Sequence, residues 1–182
     1  MGAIAGLYLL DGRSPNRTDL DLMVATLAHR GPDASGMWCR GPAGLAHRAL
    51  WTTPESLHET LPLRADFANL VLTADARIDN RAELIAALDL DGRGSSQITD
   101  SELILAAYEY WGEHCPEKLL GDFAFAIWDG RKQTVFCARD HFGVKPFYYH
   151  YRAGRLFAFA SEIKGLLCLS EVPRRLNEVR VA

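Results

Sequence analysis

Cysteine, histidine and carboxylate side chains supply most nucleophiles, bases and metal ligands, and this chain of 182 residues carries four cysteines and six histidines. The cysteines are widely separated and include no CxxC pair: Cys39, Cys115, Cys137 and Cys168. His47, His58 and His141 likewise have no ligand partner at short spacing. We therefore predict no metal site, and we interpret the four thiols as reduced core residues of a cytoplasmic protein.

Two aspartates lie in short polar segments and are the strongest carboxylate candidates. Asp75 is part of LTADARIDN, which also contains Arg77, and Asp100 is part of ITDSE. An ionised carboxylate accepts hydrogen bonds and donates none, so it can bind an amine or act as a base but opposes a developing oxyanion. Asp100 also has a structural interpretation, as the N-cap of the helix that follows it.

Four segments carry a family resemblance: GAIAG after Met1, HRGPD from His29 to Asp33, DFAFAIWD from Asp122 to Asp129, and ARDHFGVKPFYY from Ala138 to Tyr149. Together they resemble the class II glutamine amidotransferase domain at the front of asparagine synthetases, an Ntn-type family. The resemblance covers nearly the whole chain, from Ile4 to Leu176. HRGPD is diagnostic of the family, and we expect it to work structurally, as a helix stop with an Arg-carboxylate pair.

The resemblance implies a cysteine nucleophile at position 2, because the family begins Met-Cys-Gly-Ile-Ala-Gly and uses the exposed cysteine thiolate with its own α-amine as base. Here Gly2 occupies that position. Gly2 retains an α-amine if methionine is removed, but that base has no thiol or hydroxyl to activate. The internal cysteines lack an adjacent α-amine, so we predict no catalytic residue in this chain.

The rest of the glutamine pocket implied by the resemblance also departs from the family pattern. The arginine that holds the glutamine carboxylate is replaced by Ala49 in AHRAL, and Arg48 is one residue away, on the opposite face of a strand. The oxyanion motif Asn-Gly-Glu is replaced by Asp75, Ala76 and Arg77. Asp100 is the remaining pocket position, and it keeps the family's residue, an aspartate that binds the substrate amine. We predict a degenerate pocket with six positions: Gly2, Ala49, Asp75, Ala76, Arg77 and Asp100.

Apolar patterning predicts alternating groups of strands and helices. We expect strands over Ala3–Leu10, Met37–Cys39, Gly44–Leu50, Leu70–Ala76, Phe123–Trp128, Thr134–Ala138, Phe147–Tyr151 and Leu156–Ala160. We expect helices over Thr18–His29, Ala82–Leu88 and Pro116–Leu120, a helix to Trp111 that is capped by Asp100 or Ser101, and a last helix after Ser161 through Leu167. A loop is expected over Asp89–Thr99. Asn80 with Glu83, and Ser161, are predicted caps.

These elements are not regular βαβ units and indicate an α+β fold with antiparallel sheets. The resemblance implies its four-layer form, an αββα sandwich of two antiparallel sheets between helical layers. We assign residues 1–171 to this domain. Residues 172–182 become polar and basic, and we expect them to be an exit linker towards a synthetase domain that this chain does not contain.

Composition excludes several classes of partner. The hydrophobic fraction of 48% is enough for a continuous core, and the formal charge of −3 argues against a nucleic-acid or anionic-membrane surface. We expect the apolar N-terminal segment to be a buried strand rather than an export signal, and the sequence has no apolar run of membrane-spanning length. We expect a synthetase (ATP-pyrophosphatase) domain as partner, in cis or in trans, and a possible homodimer. ATP and Mg²⁺ are expected only in that partner domain.

Three functions remain open. The first is a glutaminase-inactive domain of an asparagine-synthetase-related, ATP-dependent amide-forming ligase, with a structural role or as part of a substrate surface. The segment from Trp51 to Leu63, with the Ala-Ile-Ala-Gly start, looks closest to the lasso-peptide cyclase-like branch. In such relatives, as in β-lactam synthetases, a carboxylate is adenylated with ATP and Mg²⁺ and is then captured by an amine of the same substrate. The second is an active amidohydrolase that uses Asp75, Asp100 or a bound water. The third is a free-standing binding or dimerisation module.

Overall fold

The computed structural model describes residues 2–90 and 97–175 of the chain. Its strands within that part are β1 (Ala3–Leu9), β2 (Ala34–Arg40), β3 (Ala43–Ala49), β4 (Leu63–Ala65), β5 (Leu70–Ile78), β6 (Gly121–Asp129), β7 (Thr134–Arg139), β8 (Tyr148–Arg152) and β9 (Leu156–Ala160). Its α-helices are α1 (Arg17–Thr26), α2 (Arg81–Ala87), α3 (Asp100–Trp111) and α4 (Ile163–Leu167).

The strands form two antiparallel sheets. The first sheet has the order β2-β3-β1-β9-β8, and the second has the order β4-β5-β6-β7. Strand β1 is central in the first sheet, where Ala5 lies opposite Ala46 on one side and Ala160 on the other. Because both faces of β1 are covered, its side chains are apolar without alternation, as expected of a strand buried on two sides.

Three apolar cores separate four layers. Helices α1 and α4 cover the outer face of the first sheet, where Leu20 and Met23 are fully buried. Helices α2 and α3 cover the outer face of the second sheet. Between the sheets, Ile4 and Leu45 pack with Phe159 and with residues of β5 and β6. The predicted αββα sandwich of two antiparallel sheets is confirmed.

Several predicted helix ends were wrong. Helix α1 begins after Asn16, whose side chain accepts from the Thr18 amide, and it ends at Thr26; Ala28–Arg30 is a separate 3₁₀ turn. The helix predicted over Pro116–Leu120 is instead a 3₁₀ segment over Gly112–Lys118. Gly112 has φ +60° and ends α3, as predicted. The 3₁₀ segment begins at the same glycine.

Two predicted caps also act differently. Asn80 precedes α2 but makes no side-chain cap; its amide instead donates to the Lys118 carbonyl and its oxygen accepts from the Leu120 amide. Ser161 accepts from the Ile4 amide and joins the start of α4 to β1, while Glu162 occupies the N-cap position. Both side chains form hydrogen bonds with backbone groups that are distant in sequence, and local sequence rules do not predict such partners.

The remaining boundaries concern the loop and the C-terminal segment. Most of the predicted loop over Asp89–Thr99 and the last part of the predicted linker, residues 176–182, lie outside the described residues. Val172, which begins the predicted linker, is buried against the α1 and α4 side of the first sheet. Within the part of the chain that the structure describes, no helix has the length and apolar character needed to cross a membrane.

Candidate functional site

A cavity of about 300 Å³ lies at one end of the sandwich, where β1 begins and β3 and β5 end. All six positions of the predicted degenerate pocket line it: Gly2, Ala49, Asp75, Ala76, Arg77 and Asp100. Residues from the segment after β3, together with Asp122 and Lys145, complete the wall. The fold therefore gathers these residues at a single place from β1, β3, β5 and α3.

Gly2 lies where the backbone leaves no room for a side chain. A Cβ atom at this position would be 2.7 Å from the Arg48 carbonyl oxygen, closer than real Cβ contacts, and 3.4 Å from His47 Nε2. Because the first obstacle is backbone of the neighbouring strand, it cannot rotate away. The observed arrangement therefore accommodates glycine and excludes a larger residue unless β1 or β3 shifts.

Asp75 forms a buried ion pair with Lys145 at the wall beside Gly2. The Lys145 Nζ atom lies 2.8 Å from Asp75 Oδ1, and the two side chains are 9% and 7% exposed. The Gly2 amide donates to the same oxygen at 3.1 Å. The Asp75 carboxylate thus lies beside Gly2, with the Lys145 ammonium as its counter-charge.

His47 is the second titratable group beside Gly2. It is 7% exposed, and burial lowers its pKa to about 4, against the raising effect of the Asp75 carboxylate. The imidazole is therefore neutral near pH 7 and adds no positive charge to the cavity.

Strand β3 presents alternate side chains to the cavity and to the helical layer. His47 and Ala49 line the cavity, whereas Arg48 Nε donates to the Val24 carbonyl of α1 at 3.3 Å. The prediction that Arg48 points away from the Ala49 position is confirmed. No arginine of β3 therefore reaches the cavity.

Arg30, from the HRGPD motif, connects the start of β1 to α4. Its Nε donates to the Gly2 carbonyl at 3.1 Å, and its Nη1 donates to Glu162 at the same distance. Burial works to raise the pKa of Glu162, but hydrogen bonds from Arg30, His29 and Lys164 outweigh it and lower the pKa to about 2. The predicted structural Arg-carboxylate pair of this motif is confirmed.

Asp100 is not the N-cap of α3, contrary to its structural interpretation. Thr99 caps the helix, in a capping box with Glu102, because its Oγ1 accepts from the Glu102 amide and its own amide donates to Glu102. Asp100 instead pairs with Arg81 and accepts from the Ile78 amide at 3.2 Å. Burial raises its pKa, opposed by Arg81.

Arg77 lies at the rim, with its side chain 55% exposed. It binds Asp79 at 2.9 Å and approaches Asp122 at 3.4 Å. Its charge is therefore shared with two carboxylates, of which Asp122 lines the cavity.

Sequence reasoning missed Lys145, His47 and Glu59 as cavity residues. His47 follows from the strand alternation that places Arg48 on the opposite face, since residues 47 and 49 share a side. Lys145 had a weaker signal, as the single lysine in the apolar run FGVKPF. Glu59 lies in a loop and had none. Within residues 2–90 and 97–175, no group of three or more His, Cys, Asp or Glu is arranged to hold a metal ion.

Comparisons with known proteins agree with the fold. The family model of the glutamine amidotransferase domain matches residues 1–182. Asparagine synthetase [glutamine-hydrolyzing] 3 of Bacillus subtilis is 32% identical over 159 residues, which is 87% of this chain and 26% of that protein. A putative asparagine synthetase of Methanocaldococcus jannaschii is 30% identical over 91% of this chain and 35% of its own length. The chain thus spans between a quarter and about a third of these relatives.

Solved structures show the same fold at lower identity. The glutamine phosphoribosylpyrophosphate amidotransferase of B. subtilis, in complex with ADP and GMP, superimposes with a TM-score of 0.68 at 16% identity over 90% of this chain and 42% of that one. The family model covers the whole chain, and the relatives at 30% identity or more are asparagine synthetases. The chain belongs to the glutamine amidotransferase domain family and is related to the asparagine synthetases.

Proposed function

We propose that this domain has lost glutaminase activity and serves an ATP-dependent, amide-forming ligase related to asparagine synthetases. The observation that carries the proposal is Gly2. The nucleophile position has no side chain, and a Cβ there would meet the Arg48 carbonyl at 2.7 Å. Glutamine hydrolysis through a covalent intermediate needs an attacking atom at this position, and the chain offers none.

The charges of the cavity support the same proposal. Asp75 Oδ1 would be 3.6 Å from a Cβ at position 2, and a carboxylate accepts hydrogen bonds without donating any, so it cannot stabilise an oxyanion on a substrate bound beside this position. Position 49 is an alanine, so the arginine that would bind the α-carboxylate of glutamine is absent there. Lys145 is engaged with Asp75, so it is not available to take over that contact. Three separate requirements of the reaction are therefore unmet.

The ligase part of the proposal rests on the relatives. The matched part of this chain is 26% and 35% of their lengths, and both are named asparagine synthetases. We propose that a synthetase domain, with ATP and Mg²⁺, acts together with this domain in cis. The product amide would form with an amine of the substrate itself, as in lasso-peptide cyclases and β-lactam synthetases, and the domain would act as a structural unit or substrate surface.

Ammonia release tests the loss of glutaminase activity. The purified chain is incubated with glutamine, asparagine and simple amides, beside a no-protein blank and B. subtilis asparagine synthetase 3 as a positive control. We expect release equal to the blank for this chain and clear release for the control. Release above the blank that scales with protein concentration would overturn the proposal.

The variant Gly2→Cys separates a single lost residue from a wholly altered pocket. We expect it to remain at the blank level, because Ala49 and Asp75 also depart from the family pattern and the new side chain meets Arg48. The folded state is checked by circular dichroism. A folded Gly2→Cys protein that hydrolyses glutamine would show that the pocket is otherwise competent and would contradict the proposal.

A second candidate function is an amidohydrolase that uses a carboxylic acid. Burial raises the pKa of Asp100, which lines the cavity together with Asp75, and it also raises the pKa of Glu59; a raised pKa favours the protonated form that a general acid needs. The same assay with asparagine and simple amides decides between the two functions. Ammonia release that disappears in Asp100→Asn but persists in the exposed control Glu113→Gln would support the hydrolase.

A further inference from the structure

A groove lies between the last strands of the two sheets. β8 is the edge strand of the first sheet and β7 is an edge strand of the second. The groove has a volume of about 280 Å³, and β7 contributes Cys137 and Arg139 to its lining, while β8 contributes Tyr149. Phe147 and Phe157 make much of the remaining wall apolar. The groove is thus bordered by two strands that each have a neighbour on one side only.

The outer edge of β8 has free backbone groups. Its residues pair with β9 on the inner side. The one other backbone bond of β8 in the part of the chain that the structure describes runs from the Arg155 amide to the Arg152 carbonyl, within the turn. Because a strand directs its N–H and C=O groups alternately to its two sides, the outer groups of β8 can pair with an added strand.

The side chains of this edge are aromatic and exposed. Tyr149 is 67% exposed and Tyr151 is 59% exposed, and strand alternation places them on the same face of β8. The Tyr149 ring lies 6.0 Å from the Phe157 ring, between ring centroids, and so borders the groove. Aromatic side chains are enriched where proteins bind partners, because they supply a large contact area at a low cost in conformational entropy.

The same segment is basic. Residues 130–160 contain six Lys or Arg residues and a single acidic residue, Asp140, although the whole chain has a formal charge of −3. Asp140 is buried, whereas Arg139 and Arg152 are exposed. Arg139 donates to the Gly143 carbonyl, but neither arginine forms an ion pair with any residue that the structure describes. Two cations therefore lie beside the free edge without a counter-charge.

These charges favour one class of partner over two others. A second copy of the chain, paired through β8, would bring two basic edges together, and like charges across paired strands are destabilising. A single-stranded nucleic acid would contact the cations and the aromatic rings but would leave the backbone edge unpaired. An acidic peptide can use the edge, the groove and the cations together.

We propose that β8 binds an acidic peptide segment in extended conformation, as an added strand of the first sheet. The peptide backbone pairs with the outer edge of β8, an apolar side chain enters the groove, and carboxylates lie against Arg139 and Arg152. In this mode of recognition the main-chain bonds give affinity, and pockets for alternate side chains give specificity. The inference goes beyond the proposed function, because the groove shares no lining residue with the cavity beside Gly2.

Isothermal titration with three end-blocked heptapeptides tests the ligand class. The first alternates valine with aspartate, the second has lysine in place of each aspartate, and the third is the first with N-methylated backbone amides. We expect the aspartate peptide to bind at least about tenfold more tightly than either control, since one control reverses the charge and the other lacks backbone donors. Added salt is expected to weaken its binding, because part of the attraction is ionic.

Two results of this titration would overturn the inference. One is a smaller preference over either control peptide, or no binding of the aspartate peptide. The other is tighter binding of a heptathymidylate than of the aspartate peptide, which would assign the surface to single-stranded nucleic acid. Ammonia release plays no part in these readouts, so the proposed function and this inference can fail separately.

Charge variants locate the site. The double variant Arg139→Gln with Arg152→Gln is expected to weaken binding of the aspartate peptide at least about tenfold. The control Arg64→Gln removes an exposed arginine from β4, at the other edge of the second sheet, and is expected to leave affinity unchanged. All three side chains are exposed, so we expect unchanged circular dichroism spectra. Equal affinity in the double variant and in Arg64→Gln would contradict the assignment to β8.

Discussion

At the scale of single residues, the wall beside Gly2 is organised around a buried ion pair. Asp75 Oδ1 receives both the Lys145 ammonium and the Gly2 amide, and both charged side chains are less than a tenth exposed. Two charged side chains that are buried away from water destabilise the fold unless they remain paired with each other. The pair therefore ties β5 to the segment before β8 and makes each residue dependent on the other.

The first prediction concerns Lys145. Lys145→Met leaves Asp75 buried with only Arg30 at 4.0 Å, so we expect the free energy of unfolding to fall by about 3 kcal/mol. Urea denaturation measures this change. The exposed control Lys118→Met is expected to change stability by less than about 0.5 kcal/mol.

The double variant Asp75→Asn with Lys145→Met completes the test. Removing both charges is expected to recover part of the loss, because no buried charge then remains unpaired. If the double variant is as unstable as the sum of the two single variants, the residues do not act as a pair.

The second prediction concerns pH and His47. Its pKa is lowered from 6.5 to about 4 in the folded chain, so between these values the unfolded state binds a proton that the folded state does not. Stability from this group is complete above pH 6.5 and is lost as pH falls towards 4. The expected loss from pH 7 to pH 5 is about 2 kcal/mol.

Urea denaturation at both pH values, on the parent and on His47→Gln, isolates this effect. We expect the variant to lose about 2 kcal/mol less than the parent over the same interval. The half-exposed or exposed histidines serve as controls, and His58→Gln is expected to behave as the parent does. An unchanged pH dependence in His47→Gln would show that another group titrates.

At the scale of elements, the sequence predicted strands better than it predicted ends and caps. The uninterrupted apolar run of β1 follows from burial on both of its faces. In β3 the side chains alternate in direction, as in any strand, so His47 and Ala49 line the cavity and Arg48 does not. The local pattern was therefore sufficient for both strands. The predicted cap of α3 was wrong, because Thr99, which the sequence placed in the loop, caps the helix, and Asp100 pairs with Arg81 instead. Asp75 and Lys145 are 70 residues apart, and no local rule pairs them.

The third prediction concerns Arg30, which joins the HRGPD turn, β1 and α4. Arg30→Met removes hydrogen bonds to the Gly2 carbonyl and to Glu162, and the side chain is 14% exposed. We expect a loss of about 2 kcal/mol in unfolding free energy, since the bonds are charge-assisted and partly buried. The matched control is Arg64→Met, whose two bonds to Asp66 are exposed, with an expected loss below about 1 kcal/mol. Equal losses in the two variants would show that burial adds nothing to the Arg30 contacts.

At the scale of the whole molecule, the two sheets share a core that neither completes alone. Phe159 is 1% exposed and packs with Ile4 of its own sheet and Val71 of the other. A Cβ at Gly6 would lie 2.3 Å from the Phe159 ring, so glycine at that position allows the ring to lie against β1. Because this core joins both sheets, we expect the chain to unfold as one cooperative unit.

The last prediction tests that unit with Phe159. Phe159→Ala removes a large ring from between the sheets and is expected to lower the unfolding free energy by about 3 to 5 kcal/mol. The control Phe142→Ala removes the same atoms from a side chain that is 94% exposed, with an expected change below about 0.5 kcal/mol. Urea unfolding is followed by far-UV circular dichroism, which reports all four layers, and by tryptophan fluorescence, to which buried Trp128 of the shared core contributes. We expect the two curves to coincide in the parent and to shift together in Phe159→Ala, because loss of the shared core weakens both sheets at once. Separate midpoints would mean that the sheets unfold independently and that Phe159 stabilises only its own.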